Sequence, residues 1–303
     1  MKQKLLLIGG PTAVGKTKLG IECAKLFNGE IISADCVQVY KGLNIGSAKA
    51  TKEEQQQAKH HLIDIKEPTE EYSVAEFRQN ALKLIDDMAS KNKLPIVVGG
   101  TGLYIQSLLY PFSYGSSEKN EEIRKKYTKI LQEKGVDELF AMLEKVDEET
   151  AKKLHKNDTK RVIRALEIFE LTGKKKSEQV LTNESPFDYK LIYLNDDRKV
   201  LYDRINNRVD QMFEQGLESE VENLIKSGLT RDNQSMQGIG YREFFDYYAN
   251  LISREQLIEK IKQDTRNYAK RQLTWFRHMQ SSEEANIKDI NAILANIKKW
   301  LDS

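Results

Sequence analysis

Short apolar runs alternate with longer amphipathic segments along the first third of the chain. The apolar runs are Lys4–Gly9, Glu30–Ala34 and Leu94–Val98, with His60–Ile63 as a shorter candidate. Runs of this length that end at glycine or aspartate are typical of buried parallel strands. Residues 16–27 have apolar positions at helical spacing, and the capping box Ser73-Val-Ala-Glu76 predicts a helix to about Ser90. Alternating strands and helices predict a parallel, three-layer α/β sheet.

The pattern becomes helical after Pro111, and no clear strand follows until about residue 189. The predicted helices there are Glu121–Glu133, Val136–Leu143, Glu148–Leu154 and Asp158–Leu171, with Gly173 as a helix C-cap. A strand at Tyr189–Leu194, a helix near Lys199–Gln215 and a capping box at Ser253–Gln256, opening a helix to about His278, resume the first pattern. We therefore expect residues 113–189 to form a helical domain inserted into a core made of residues 1–112 and 190–303.

Composition narrows the class of protein. The 303 residues are 39% hydrophobic and 31% charged, so the chain can bury a core and is not a disordered sequence. Two cysteines cannot form a disulfide framework or a zinc cluster, and no apolar stretch approaches the ~20 residues of a membrane span. We expect a cytoplasmic protein without a membrane partner. A monomer is the simplest expectation, although nothing in the sequence determines the oligomeric state.

The total charge hides two basic segments. Lys and Arg number 48 and Asp and Glu 46, which by itself argues against a nucleic-acid partner. Residues 150–177, however, hold nine basic residues and three acidic ones, and residues 265–281 hold four basic residues and no acidic one. Screening limits exposed charges to ~10 Å of influence, so a nucleic acid responds to the segment and not to the total. Each segment is also compatible with an ordinary solvated helix face.

The strongest chemical signal is the sequence GPTAVGKT, which follows the first strand and opens the first helix. Its residues are Gly10, Pro11, Thr12, Ala13, Val14, Gly15, Lys16 and Thr17. Backbone amides in such a loop converge on phosphate oxygens, the lysine adds a positive charge, and the last hydroxyl is placed for Mg²⁺. An accidental glycine turn would not require a strand before it and a helix after it. The motif indicates a P-loop NTPase-like core that binds a phosphate, without stating which one.

Two further polar positions follow predicted strands. Asp35 ends the second strand, where it could act as a general base, bind a metal through water, or cap a turn. Cys36 beside it has no nearby histidine to activate it, so packing is favoured over a nucleophilic role. Thr101 follows Gly99-Gly100, and we expect it to face the same cleft, as a helix N-cap, a functional hydroxyl, or both.

Together these motifs resemble the bacterial tRNA dimethylallyltransferases. The segments GPTAVGKT, SADCVQVYKGLNIGSAK, HHLID, VVGGTGLYI, MQGIGYRE and AKRQLTWFR occur in the family's order, from Gly10 to Arg277. The P-loop alone is unspecific, whereas the combination is highly specific. The resemblance implies transfer of a dimethylallyl group from its diphosphate to the exocyclic amine of the adenosine 3′-adjacent to certain anticodons.

The resemblance also implies roles for individual residues. Asp35 matches the catalytic base and Thr101 a hydroxyl that holds the reacting amine, while Thr12–Thr17 and Arg208 match the site of dimethylallyl diphosphate, with Thr17 toward Mg²⁺. The insertion matches a helical domain that grips the anticodon stem. The residues matching tRNA contacts are Asp35, Cys36, Val37, Gln38, Thr101, Lys160, Arg161, Arg164, Gln237, Gly240 and Arg242.

Three other functions remain open on sequence grounds. A P-loop small-molecule kinase would share the first 30 residues, but it does not explain DCVQVY or GGTGLY. A relative that prenylates free adenine nucleotides would not need the basic segments. A non-enzymatic RNA-binding module would tolerate a damaged P-loop, yet Gly15, Lys16 and Thr17 are intact.

Overall fold

The computed structural model of this chain describes residues 2–110, 120–178 and 184–303, which fall into two compact units. The first unit runs to Leu109 and resumes at Ser185, and the second lies between Tyr110 and Glu184. The expected boundary between residues 112 and 113 lies outside the described residues. The other expected boundary, after residue 189, cuts a strand that begins at Asp188 and pairs there with Lys4. Residues 185–189 therefore belong to the first unit and not to the insertion.

The first unit is built on a six-stranded sheet in which every neighbouring pair is parallel. The strands are β1 (Lys4–Gly9), β2 (Gly29–Ser33), β3 (His60–His61), β4 (Leu94–Val98), β5 (Asp188–Leu194) and β6 (Ser282–Ala285). Their order is β3-β2-β4-β1-β5-β6. The predicted strands are confirmed to within a residue or two. The sequence did not predict β6, because this edge strand reads SEEA and carries no apolar run.

Helices cover both faces of this sheet. In chain order the described residues form α1 (Lys16–Leu26), α2 (Lys52–Gln57), α3 (Val74–Ser90), α4 (Gly102–Leu109), α5 (Glu121–Val146), α6 (Glu148–Ala151), α7 (Thr159–Thr172), α8 (Arg198–Glu214), α9 (Leu217–Lys226), α10 (Phe244–Tyr248), α11 (Arg254–Arg277) and α12 (Ile290–Leu301). Ser73 caps α3 through the Glu76 amide, and Ser253 and Gln256 form the predicted capping box of α11. None of the helices described is long and apolar enough to cross a membrane.

The core of the first unit follows from the alternation of side chains along the strands. Leu6 and Ile8 pack with α1, α8 and α12 on one face of the sheet. Their neighbours Leu5 and Leu7 are equally inaccessible to solvent on the opposite face. A parallel sheet buried on both faces leaves only its strand ends open, so its carboxyl edge is the place for a ligand. The α/β fold class is confirmed.

The second unit has a small core of its own. Leu139 and Leu143 of α5 pack against Val162 and Leu166 of α7. Gly135, with φ 83° and ψ 177°, interrupts α5 at the break predicted between residues 133 and 136. Helix α6 is shorter than predicted, whereas α7 begins and ends one residue later than predicted and has the predicted length. Helix α7 ends at Gly173 in the left-handed conformation, as its C-cap position predicts.

Candidate active site

A cavity of about 460 Å³ lies at the carboxyl edge of the sheet. The loops after β1, β2 and β4 line one part of this cavity. Side chains of α8 and α11 and the segment before α10 line another part. Nearly all the residues that the sequence singled out in the first unit converge here, although they come from positions between 12 and 242. The cavity is therefore the candidate active site.

The loop between β1 and α1 forms an anion cradle. Gly15 occupies the N-cap of α1 at φ 101°, a left-handed conformation that disfavours other residues, and no side chain caps the helix start. The first amides of α1 are therefore free to meet an anion, and the helix dipole favours negative charge there. Lys16 Nζ donates to the Pro11 carbonyl at 2.6 Å, which folds the side chain back over the loop.

Two cations share this cradle. Burial and repulsion from Arg208 lower the pKa of Lys16 to about 7, while the charge of Asp35 partly opposes the shift. Burial also lowers the pKa of Arg208, which projects from α8 into the cavity. Within the described parts of the chain, Arg208 forms no ion pair. The charges of Asp35 and Glu54 oppose these shifts only in part, so a bound anion is favoured because it would remove the remaining repulsion between the two cations.

Asp35 lies at the end of β2 and divides its two oxygens between two tasks. Oδ1 accepts hydrogen bonds from the amides of Val37 at 2.8 Å and Gln38 at 3.2 Å, so the carboxylate does cap the turn. Oδ2 accepts no hydrogen bond from the described residues. The turn-cap role and a base or metal-binding role are thus compatible, since the cap fixes one oxygen and leaves the second available.

Thr101, between β4 and α4, lies beside the cavity and is not one of its lining residues. Its hydroxyl adjoins the Cys36 thiol and the Tyr268 hydroxyl, both of which do line the cavity. The hydroxyl is shielded from solvent and makes no hydrogen bond of good geometry in the described structure. A buried, unsatisfied hydroxyl costs free energy, so a ligand atom that bonds to it would gain that energy back.

The thiol of Cys36 is not activated. Burial and the adjacent Asp35 charge raise its pKa to about 12, although the adjoining Thr101 hydroxyl opposes the shift. A thiol needs to lose its proton to act as a nucleophile. The structure therefore agrees with packing as the role of this side chain.

Gln38 and Arg242, two of the other residues expected to contact the tRNA, are fixed by backbone hydrogen bonds and by ion pairs, respectively. Gln38 donates to the carbonyls of Ser47 and Ala48 at 3.3 and 3.2 Å, so its amide fixes the loop after β2. Gln237, Gly240 and Arg242 line the cavity. Arg242 is paired with Glu243 at 2.7 Å and with Asp264 at 3.0 Å.

Lys160, Arg161 and Arg164 belong to α7 of the second unit. Lys160 is exposed, Arg161 pairs with Asp158 at 3.3 Å, and Arg164 pairs with Glu167 at 2.7 Å. Burial and repulsion from Arg161 and Arg164 lower the pKa of Lys176, so these three cations lie near one another. Part of the basic segment predicted from the sequence is therefore a group of neighbouring cations, in which Arg161 and Arg164 are also paired with carboxylates.

Comparisons with known proteins agree with this arrangement. A family model described as IPP transferase matches residues 38–279. The chain is 50% identical over 279 residues to a tRNA dimethylallyltransferase of Bacillus cytotoxicus, covering 91% of this chain and 88% of that one. The chain belongs to the IPP transferase family.

Two solved structures also resemble this family member. The full-length tRNA isopentenylpyrophosphate transferase of Bacillus halodurans has 44% identity and a TM-score of 0.76, covering 99% and 97% of the two chains. A eukaryotic dimethylallyltransferase acting on tRNA has 34% identity and a TM-score of 0.76, covering 90% and 70%.

In this IPP transferase family member, α11 supplies two site residues that were not predicted, Tyr268 and Gln272, and also Arg271, which was predicted only as part of the basic segment 265–281. Gln272 accepts a hydrogen bond from the Thr12 amide at 3.1 Å and donates to the Gly100 carbonyl at 3.0 Å. It therefore ties the phosphate loop to the loop that carries Thr101. Tyr268, one turn before Gln272, and Arg271 also line the cavity. Arg271 and Gln272 follow Tyr268 by three and four residues, and this helical spacing was the signal that could have identified them.

The residues around Thr17 are compatible with Mg²⁺. No cluster of three or more ligating side chains occurs in the described residues, but Mg²⁺ bound with a phosphate substrate usually takes only one or two protein ligands. The Thr17 hydroxyl lines the cavity and forms no hydrogen bond with the described residues. A metal held chiefly by phosphate oxygens and water could thus use Thr17, with Asp35 Oδ2 reaching it through water.

Proposed function

We propose that this protein transfers the dimethylallyl group of dimethylallyl diphosphate to the exocyclic amine of an adenosine, the one 3′-adjacent to the anticodon of certain tRNAs. One observation carries the proposal. In the described residues, Lys16 and Arg208 line one side of the cavity without forming an ion pair, and at the other side an available oxygen of Asp35 lies near the buried hydroxyl of Thr101. The first suits a diphosphate and the second an amine that must lose a proton.

The donor would occupy the P-loop side. The diphosphate would accept hydrogen bonds from the amides of residues 13–17 and form ion pairs with Lys16 and Arg208. As the allylic C–O bond breaks, its electron pair moves onto the diphosphate, and charge developing there is stabilised by groups already in place. Bound Mg²⁺ would supply further positive charge to the same oxygens, with Thr17 as its protein ligand.

The acceptor amine would lie between Asp35 and Thr101. An adenine amine is a weak nucleophile because its lone pair is delocalised into the ring. Asp35 Oδ2 would accept the amine proton as the N–C bond forms, a general-base contribution of ~10²–10⁴-fold in rate. Thr101 would use its unpartnered hydroxyl to orient the amine. The adenosine must leave the anticodon-loop stack to reach this position, so the bound base is flipped.

The second unit would bind the anticodon stem. Arg161, Arg164 and Lys176 lie near one another, and the exposed Lys160 precedes Arg161 on α7. Phosphate contacts from this cluster of four cations would supply sequence-independent affinity. Replacing Lys160 and Arg161 with alanine should weaken tRNA binding and reduce its salt dependence. The exposed Lys129 of α5, replaced with alanine, is the matched control because it lies in the same unit outside that cluster.

A single labelling experiment tests the proposed reaction against its alternatives. The protein is incubated with Mg²⁺ and labelled dimethylallyl diphosphate, and the acceptor is unmodified tRNA, AMP or ATP. Label on the tRNA alone supports the proposal. Label on AMP or ATP would indicate a nucleotide prenyltransferase, and phosphoryl transfer from ATP without prenyl transfer would indicate a kinase.

The role of Asp35 is tested by Asp35→Asn in single-turnover transfer. This variant keeps the turn cap and removes the basic oxygen, so the rate should fall by about 10²–10⁴-fold. Glu54→Gln is the control, because Glu54 is a second carboxylate lining the cavity and glutamine preserves its capping box. A near-normal rate in Asp35→Asn would contradict the assignment.

A further inference from the structure

A stripe of large side chains runs along one face of α11 from the cavity to the surface. Tyr268, Arg271 and Trp275 are spaced three and four residues apart, so they lie above one another on the helix. The Arg271 guanidinium lies 5.6 Å from the centre of the Tyr268 ring. Tyr268 adjoins Thr101, where the proposed reaction occurs. The stripe therefore starts at the reacting position.

Trp275, the outer member of the stripe, is only partly covered by the described residues. One side of the indole packs on Gly102, where an added Cβ would lie 2.3 Å from the ring. The side chain is nevertheless 37% exposed, and Leu103 beside Gly102 is 38% exposed. In the described residues, the indole makes no hydrogen bond and no contact with another ring. Trp275 and Leu103 are thus two exposed apolar side chains beside the loop that carries Thr101, and an exposed apolar patch next to a site marks an interaction surface.

We propose that Trp275 is a stacking platform for the base of a nucleotide that flanks the target adenosine in the tRNA anticodon loop. This inference rests on the proposed function and adds a specific contact to it. Single-stranded RNA is commonly bound by aromatic rings that stack on unstacked bases, with arginine and lysine between them for the phosphates. When the target adenosine leaves the loop stack, its neighbours lose a stacking partner, and Trp275 replaces it.

The charge around Trp275 fits RNA as the occupant. Lys270, Arg271 and Arg277 are exposed on the same stretch of α11, and residues 265–281 contain no acidic side chain. Arg271 lies one turn from Trp275, between it and the cavity, where a phosphate of the flipped nucleotide would pass. An apolar protein partner would be poorly matched to an indole that has the exposed Arg271 one turn away on the same helix face.

The first test reads stacking directly from fluorescence. The chain has two tryptophans, and Trp300 lies in α12, where its indole donates to Asp188 at 3.0 Å, outside the site. Trp300→Phe therefore leaves Trp275 as the sole tryptophan. An unmodified anticodon stem-loop RNA should quench the fluorescence of this variant, and inorganic diphosphate should not. Binding of the RNA without quenching would overturn the proposal.

The second test separates stacking from packing. In steady-state transfer to the same RNA, Trp275→Leu should raise the KM for RNA by about 5- to 100-fold, with the KM for dimethylallyl diphosphate unchanged. Trp275→Phe keeps an aromatic face, so its KM for RNA should stay within about threefold of the parent value.

The stacking role would be refuted if the KM for RNA were unchanged in Trp275→Leu while the parent enzyme still transfers label. A fall in thermal stability together with a weakened diphosphate site would assign Trp275 to packing and also refute it. If the parent binds and quenches but transfers no label, the proposed function fails and the stacking contact stands.

Discussion

Gln272 connects α11 to two of the loops that line the cavity, so replacing it should change both stability and catalysis. It is only 6% exposed, and one side-chain amide joins two loops that are 88 residues apart in the sequence, at Thr12 and Gly100. Gln272→Met keeps a side chain of similar length and removes both hydrogen bonds. Each bond contributes ~0.5–1.5 kcal/mol, so their loss should lower the free energy of unfolding by about 1–3 kcal/mol. Because Thr12 and Gly100 both line the cavity, water can reach the abandoned groups and keep the cost within this range.

The functional consequence should concentrate on the diphosphate. Without Gln272, the Thr12 amide loses the group that fixes it, and the phosphate loop becomes less well organised before the ligand binds. We expect Gln272→Met to raise the KM for dimethylallyl diphosphate about tenfold, which corresponds to ~1.4 kcal/mol of lost preorganisation. Gln272→Glu retains the acceptor for Thr12 but sets a carboxylate oxygen against the Gly100 carbonyl, so it isolates the second bond.

Urea denaturation and steady-state kinetics measure the two effects separately. Gly100→Ala provides an independent check, since its Cβ would lie 2.1 Å from the Gln272 amide nitrogen. Gln272→Ala removes that overlap, so the double variant should be less destabilised than the sum of the two single variants. A Gln272→Met protein with unchanged stability and unchanged KM for the diphosphate would refute the reasoning.

Three further predictions address the rest of the first unit. Arg208→Ala should raise the KM for dimethylallyl diphosphate and leave tRNA affinity intact, and a selective loss of tRNA binding would contradict its placement with the phosphate. Burial is the main cause that raises the pKa of both Cys36 and Cys23 to about 12, so alkylation by iodoacetamide at pH 7.5 should be slow and should not inactivate the native enzyme. Rapid inactivation would contradict the raised pKa of Cys36. Burial raises the pKa of Glu30, but hydrogen bonds from lysines and His61 outweigh it and lower the pKa to about 2. The stability that the ionised Glu30 contributes is therefore present at neutral pH and is lost as the pH falls from about 5 to 2. Glu30→Gln should therefore lower the free energy of unfolding at pH 7 by about 1–3 kcal/mol and less at pH 2, as measured by denaturation at the two pH values.

Local patterns were sufficient for much of the fold. Apolar runs of five or six residues marked β1, β2, β4 and β5 because the strands of a parallel sheet are buried on both faces. Serine caps marked α3 and α11 because the first amides of a helix need acceptors near in sequence. The edge strand β6 was not predicted, because an edge position does not impose an apolar pattern.

The sequence by itself determined the residues able to cradle a phosphate, because GPTAVGKT acts through its own backbone and the helix that follows it. It also identified Asp35 and Thr101 as polar groups at strand ends. Only the tertiary structure decided how these groups are used. The repulsion between Lys16 and Arg208, the unsatisfied hydroxyl of Thr101 and the bridge made by Gln272 all depend on burial and on contacts between distant segments. Thr12 and Gln272 are 260 residues apart, and no periodicity along the chain encodes such a meeting. The same holds for Trp275, which belongs to a helical stripe in the sequence and becomes a candidate RNA contact only through its exposure beside Gly102.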